Sequence, residues 1–139
     1  MDRLKERIQA ALKALNAFNE VLLITNPTNI ERDAAIQRFE FSFEACWKAV
    51  KQFLYTIEGI DVGSPKGVIR SCREIGILSD DETVLALKMV DDRNLTVHTY
   101  NEEIARQIYH HLHQYYQLLV DWLQRIDNRL NTDANFPGH

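Results

Sequence analysis

From Ile104 to Leu130, apolar residues recur at steps of three and four: Ile104, Ile108, Leu112, Tyr115, Leu119, Trp122, Ile126 and Leu130. At ~100° per residue those steps lay one unbroken seam along a helix of roughly seven turns. A seam of that length is buried by packing against other helices, so it commits the chain to a helical bundle.

The rest of the sequence supplies the partners. Leu4, Ile8, Leu12, Leu15, Phe18 and Leu22 share one face of a first helix, which Pro27 brings to a stop. A second helix is predicted from about Ile30 to Ile57, with Ile36, Phe39, Phe43, Cys46 or Trp47, Val50, Leu54 and Ile57 as its stripe. Phe41 lies off that stripe, which predicts two buried faces and a central place in the bundle. The aromatic residues from Phe39 to Phe53 read either as core or as a base-stacking platform.

Ser64-Pro65 starts a short helix with a capping residue and a proline at the first helical position, and Gly76 ends it. Its Lys66, Arg70 and Arg73 form either a solvated face or a phosphate-binding patch. Ser79 followed by Glu82 is a capping box opening a fourth helix that runs towards His98, and Asn101-Glu102-Glu103 starts the fifth. The expected fold is all-α, an antiparallel bundle of four long helices plus one short helix. It forms one domain over residues 1–130, followed by a disordered tail over 131–139.

Composition narrows the class. Five Gly and three Pro leave little material for the turns of a β fold. A net charge of -4 argues against a general nucleic-acid coat while leaving room for a local RNA site. Cys46 and Cys72 form no metal-like pair and suggest a reducing compartment. The charged N-terminus does not read as a secretory signal, and no apolar run approaches the ~18 residues of a membrane span. A cytoplasmic protein without membrane contact is expected.

One stretch departs from the burial pattern. Arg93, Asn94, His98 and Tyr100 crowd an arginine, an amide, an imidazole and a phenol into the end of the fourth helix. On an ideal wheel Asp91, Asn94 and His98 fall within ~60° of one another, extending a stripe begun by Val84 and Leu87. An apolar face that turns polar needs partners or a ligand. Arg93 points ~140° away from His98 on the same wheel. The helix therefore deforms before Asn101, or a second subunit completes the site.

The chemistry these residues suit is metal-independent RNA cleavage. His98 can exchange a proton near neutral pH. Arg93 presents a planar fork of donors to a phosphate and its transition state. Asn94 can orient His98 or a ribose. No cofactor is expected: there is no glycine-rich phosphate loop, and His110, His111 and His113 lack a third ligand at useful spacing and read as surface histidines. Tyr100 can simply pack the turn between two helices.

The spacing of Arg93, four residues, His98, one residue and Tyr100 resembles the signature of HEPN-domain proteins, the small helical toxins of prokaryotic toxin–antitoxin pairs. Within them it is most similar to the HepT-like group, also described as nucleotidyltransferase substrate-binding proteins. The run from Arg38 to Glu44 leading into Trp47-Lys48 resembles a second block of that family. The resemblance implies a homodimeric RNA endonuclease with Arg93, Asn94 and His98 in its catalytic site. It also implies a cognate minimal nucleotidyltransferase that silences the toxin by transferring nucleotide onto Tyr100. Two other readings stay open: a non-catalytic substrate-binding subunit of a two-component nucleotidyltransferase, and a helical dimer without an active site.

Overall fold

The computed structural model describes residues 1–135. Five α-helices follow one another: α1 (Asp2–Leu22), α2 (Asn29–Thr56), α3 (Pro65–Glu74), α4 (Asp80–Leu95) and α5 (Glu102–Asn135), with a 3₁₀ turn at Thr96–His98 between the last two. No helix among the described residues is long and apolar enough to cross a membrane.

Cross-helix contacts fix the directions. Arg38 donates to the Ala17 carbonyl and Ser42 to that of Ala14, so α1 and α2 run antiparallel. Lys88 meets His111 while Arg125 meets Glu82, so α4 and α5 are antiparallel as well. Arg32 reaches Glu102 and Phe39 stacks on Tyr115, so α2 and α5 run in parallel across the core. This is the predicted bundle, with α3 as its short helix.

The caps fall where the sequence places them. Ser64 accepts from the Gly67 amide, Ser79 and Glu82 form their capping box, and Gly76 takes a positive φ of 80° just past α3. A further capping box, Thr28 with Glu31, opens α2. Glu82 also accepts from Arg125 at 2.7 Å. That bond, helped by Ser79 and opposed by partial burial, holds its carboxyl near 2 instead of the ordinary 4.5. A carboxylate depressed in the folded state stabilises fully above its unfolded value and loses that contribution as pH falls through the folded one. Stability should therefore drop between pH 4.5 and about 2, and Glu82→Gln should flatten part of that slope in a series of thermal melts.

The core is continuous and aromatic, with Trp122, Tyr115, Phe18, Phe39, Phe43 and Phe53 fully buried. The seam of α5 is buried from Ile108 to Leu130, with Ile104 packed at its edge. Three expectations need correction. Leu12 is exposed and Ala11 is buried in its place, while Leu4, Ile8, Leu15, Phe18 and Leu22 are buried as expected. Phe41 is 58% exposed. The second buried face of α2 is made of Ala35, Ser42 and Ala49 at heptad spacing, small residues that let α1 approach. Finally, α5 continues through Asn135, so residues 131–135 are helical rather than a disordered tail; 136–139 lie outside the described residues. Phe39→Ala should cost ~3–5 kcal/mol, while Phe41→Ser should move stability by less than ~0.5 kcal/mol. Paired denaturant titrations check both.

Arg32 is nearly buried at the start of α2. It forms a two-pronged pair with Glu102 at 2.8 and 3.1 Å and also holds Asp33. Glu102 and Asp33 hold its guanidinium firmly charged against the opposing effect of burial. This clamp ties the start of α2 to the start of α5, two residues after Tyr100 in the chain. Cys46 and Cys72 are buried free thiols, pushed up by desolvation to about 12 and about 11, so neither is a ready nucleophile.

Candidate functional site

The site forms where α4 gives out. Thr96 donates its hydroxyl to the Arg93 carbonyl at 2.7 Å, and Thr99 donates to the Thr96 carbonyl at 3.2 Å. These hydroxyls satisfy carbonyls the α-helix would leave open, and the chain tightens into the 3₁₀ turn. The Asn101 amide donates to the His98 carbonyl, and the Asn101 side chain accepts from the Glu103 and Ile104 amides, which starts α5. The helix thus deforms before Asn101, one of the two outcomes its wheel geometry allows.

Arg93 and His98 leave this junction towards different partners. The Arg93 side chain is 25% exposed and turns to α2, where its Nη2 lies 3.6 Å from Glu44. Its Nη1 donates to Thr96 at 3.2 Å, and its Nε is buried without a hydrogen-bond partner. Cores exclude unmet donors of that kind, which makes one at a polar junction informative. His98 is exposed on the 3₁₀ turn, with Nδ1 3.2 Å from the Tyr100 oxygen and the two rings edge to face. Tyr100 is 83% exposed. Asn94 is exposed and makes no side-chain hydrogen bond among the described residues, so Tyr100, not Asn94, touches the imidazole.

The stripe drawn through Val84, Leu87, Asp91, Asn94 and His98 is not a buried face. Val84 is 69% exposed, and α4 buries Thr83, Ala86, Met89 and Val90 instead. Asp91 pairs with Lys66 at 2.8 Å and Arg73 with Asp80 at 2.7 Å, so the basic face of α3 is largely neutralised. Asp92 is half-buried at this junction. It accepts from the Tyr115 hydroxyl at 2.5 Å and lies 3.7 Å from His111. Burial and the Asp92 carboxylate push the Tyr115 phenol above its ordinary range, so it stays a donor. This bond pins the last turn of α4 to the middle of α5 and sets the platform under Arg93. His113 points elsewhere, to the Leu22 carbonyl.

Glu44 is the residue the motif alone does not reveal. One carboxylate oxygen faces Arg93 and the other accepts from the Trp47 indole at 3.2 Å. The two sequence blocks, Arg38 to Lys48 and Arg93 to Tyr100, therefore meet in space at Glu44. The signal was present in the first block, but nothing in its spacing says which of its residues faces α4. What results is a surface site: an exposed imidazole and phenol side by side, and a half-sunken arginine one helical turn away.

The family described as nucleotidyltransferase substrate binding protein like matches residues 6–128, and the chain belongs to that family. A probable ribonuclease HepT from Haemophilus influenzae is 35% identical over 79 residues, which cover 54% of this chain and 53% of that one. The chain thus matches about half the length of that curated relative. A Thermus thermophilus protein of known crystal structure is 53% identical, with a TM-score of 0.81 over 84% of this chain and 98% of its own.

Proposed function

We propose that this chain is the toxin of a HepT-like toxin–antitoxin pair, an RNA endonuclease held silent by a cognate minimal nucleotidyltransferase in the cytoplasm. The observation that carries the reading is the exposed His98 imidazole, 3.2 Å from the Tyr100 phenol on the turn that ends the Arg93 helix. Family membership and the name of the Haemophilus relative support it.

In this reading His98 takes the proton of a ribose 2′-hydroxyl, the oxygen attacks the adjacent phosphorus, and the 5′-oxygen leaves with a proton from a second acid. Arg93 stabilises the charge that grows on the phosphate, and Asn94, unengaged in the free chain, is available to the ribose. One imidazole cannot serve both oxygens at once. A two-fold dimer whose motifs face a shared cleft supplies a second His98, and it also shields a site that lies open on one protomer. In this reading His98, Arg93 and Asn94 carry the chemistry, so activity should survive a chelator. The test is incubation of purified, unmodified protein with single-stranded RNA in chelator, alongside light scattering for the dimer.

The second reading, a binding subunit without catalysis, draws on Arg93 itself. Its guanidinium is turned to Glu44 and Thr96 rather than outward, as in a residue that holds the fold together. A pure dimer that leaves RNA intact favours that reading.

A further inference from the structure

Two of the three cations on α3, Lys66 and Arg73, are paired with carboxylates. A denser group of cations lies elsewhere, with few carboxylates near it. Arg3 and Arg7, four apart on α1, face Lys48 and Lys51 on α2 across a cleft of about 350 Å³. Among the described residues Arg3, Arg7 and Lys51 have no carboxylate within salt-bridge distance, and Lys48 has only Glu44 at 3.8 Å. A single acid, Asp61, lines the same cleft. Four clustered cations in a chain of net charge -4 repel one another unless an anion sits between them.

The walls between the cations are aromatic. Tyr55 is 61% exposed, and Trp47 lines the cleft with its N–H held by Glu44. Cations along a groove with flat rings between them are the pattern that binds single-stranded nucleic acid, phosphates on the charges and bases on the rings. The cleft also leads to the site. Trp47 lines it and Glu44 touches both Trp47 and Arg93, so the Trp47 end of the cleft lies beside the arginine.

We infer that the cleft between Arg3, Arg7, Lys48, Lys51 and Tyr55 is an RNA-binding track that feeds the strand flanking the scissile bond towards Arg93. The inference rests on the ribonuclease reading for the identity of the strand, but its test reads binding alone. The probe is a short fluorescein-labelled oligouridine with 2′-O-methyl sugars, which offers no 2′-hydroxyl for cleavage, titrated by anisotropy against the full chain.

Binding should weaken as salt rises. Arg7→Glu with Lys51→Glu should weaken it about tenfold or more and lower the logarithmic salt slope by ~1.4, at ~0.7 per phosphate contact on a single strand. Tyr55→Ala should weaken it about tenfold, the scale of one lost base stack. Arg70→Glu on α3 should leave it unchanged. Arg3→Ala with Lys48→Ala, both at exposed positions, gives the same direction if the reversed pair melts early. Equal affinity in the folded cleft variants overturns the proposal, as does an equal loss in Arg70→Glu. Competition by free nucleoside triphosphate as effective as by RNA also overturns it, because the cleft is then a nucleotide pocket. If the cleft variants bind RNA weakly yet the protein cleaves none, the track stands and the ribonuclease reading falls. If cleavage proceeds and the cleft variants bind normally, the reverse holds.

Discussion

Co-expression with the cognate nucleotidyltransferase is expected to add the mass of a nucleotide to Tyr100, and Tyr100→Phe to abolish the adduct together with the partner's protection of the cell. The phenolic oxygen attacks the α-phosphate of a nucleoside triphosphate, pyrophosphate leaves, and the phenolic proton goes to a base. The geometry suits such a step. Tyr100 is 83% exposed, so a second enzyme can reach it, and its oxygen lies 3.2 Å from His98 Nδ1, so whatever is attached there stands beside the imidazole. The new phosphodiester carries a negative charge that repels RNA phosphate and competes for Arg93. Because Tyr100 packs against little besides His98, the phenylalanine variant should fold and melt as the parent does. Intact-mass spectrometry with peptide mapping across Asn94 to Arg106 reads the result. An adduct on another residue, or full silencing of Tyr100→Phe without any adduct, would leave simple masking by the partner as the better account.

Loss of the imidazole should be the most damaging single change to activity. His98→Ala should lower cleavage by ~10²–10⁴-fold, the range of a positioned acid or base. Its exposure predicts little change in melting temperature. Arg93→Ala should lower cleavage by ~10²–10³-fold, the scale of one lost electrostatic donor. It should also remove the contacts of Arg93 with Glu44 and Thr96, leaving Glu44 only Lys48 at 3.8 Å, so a modest loss of stability accompanies the loss of rate. Arg93→Lys should restore the charge but little of the rate, since an ammonium lacks the planar fork. Single-turnover cleavage beside thermal melts separates the two effects. If Arg93→Ala destabilises the fold and spares the rate of the folded fraction, Arg93 is a structural residue and the pair with Glu44 is its whole role.

The sequence made the bundle legible and left its lateral contacts dark. The seam of α5 could be read because eight apolar positions at steps of three and four admit one helical face. The caps at Ser64 and Ser79 could be read because each is a local bond between residues three apart. Leu12 and Val84 could not, since an amphipathic helix can carry apolar residues on two adjoining faces and its neighbours decide which is buried. Phe41 misled for a related reason: close approach of α1 is bought with Ala35, Ser42 and Ala49, whose small side chains leave no hydrophobic signature. Within the site, the 3₁₀ turn was foreshadowed by the poor convergence of Arg93 and His98. The meeting of Arg93 with Glu44, and of Arg32 with Glu102, joins residues far apart in the chain, and no local periodicity encodes it.

The account stands or falls on whether unmodified protein cuts RNA through His98. The most direct measurement is end-group analysis of a defined single-stranded RNA incubated with the purified, unmodified protein in chelator, with His98→Ala prepared in parallel. The account predicts fragments ending in 2′,3′-cyclic phosphate and 5′-hydroxyl from the parent protein, and intact RNA from the variant. Intact RNA in both, or equal cleavage by both, contradicts it.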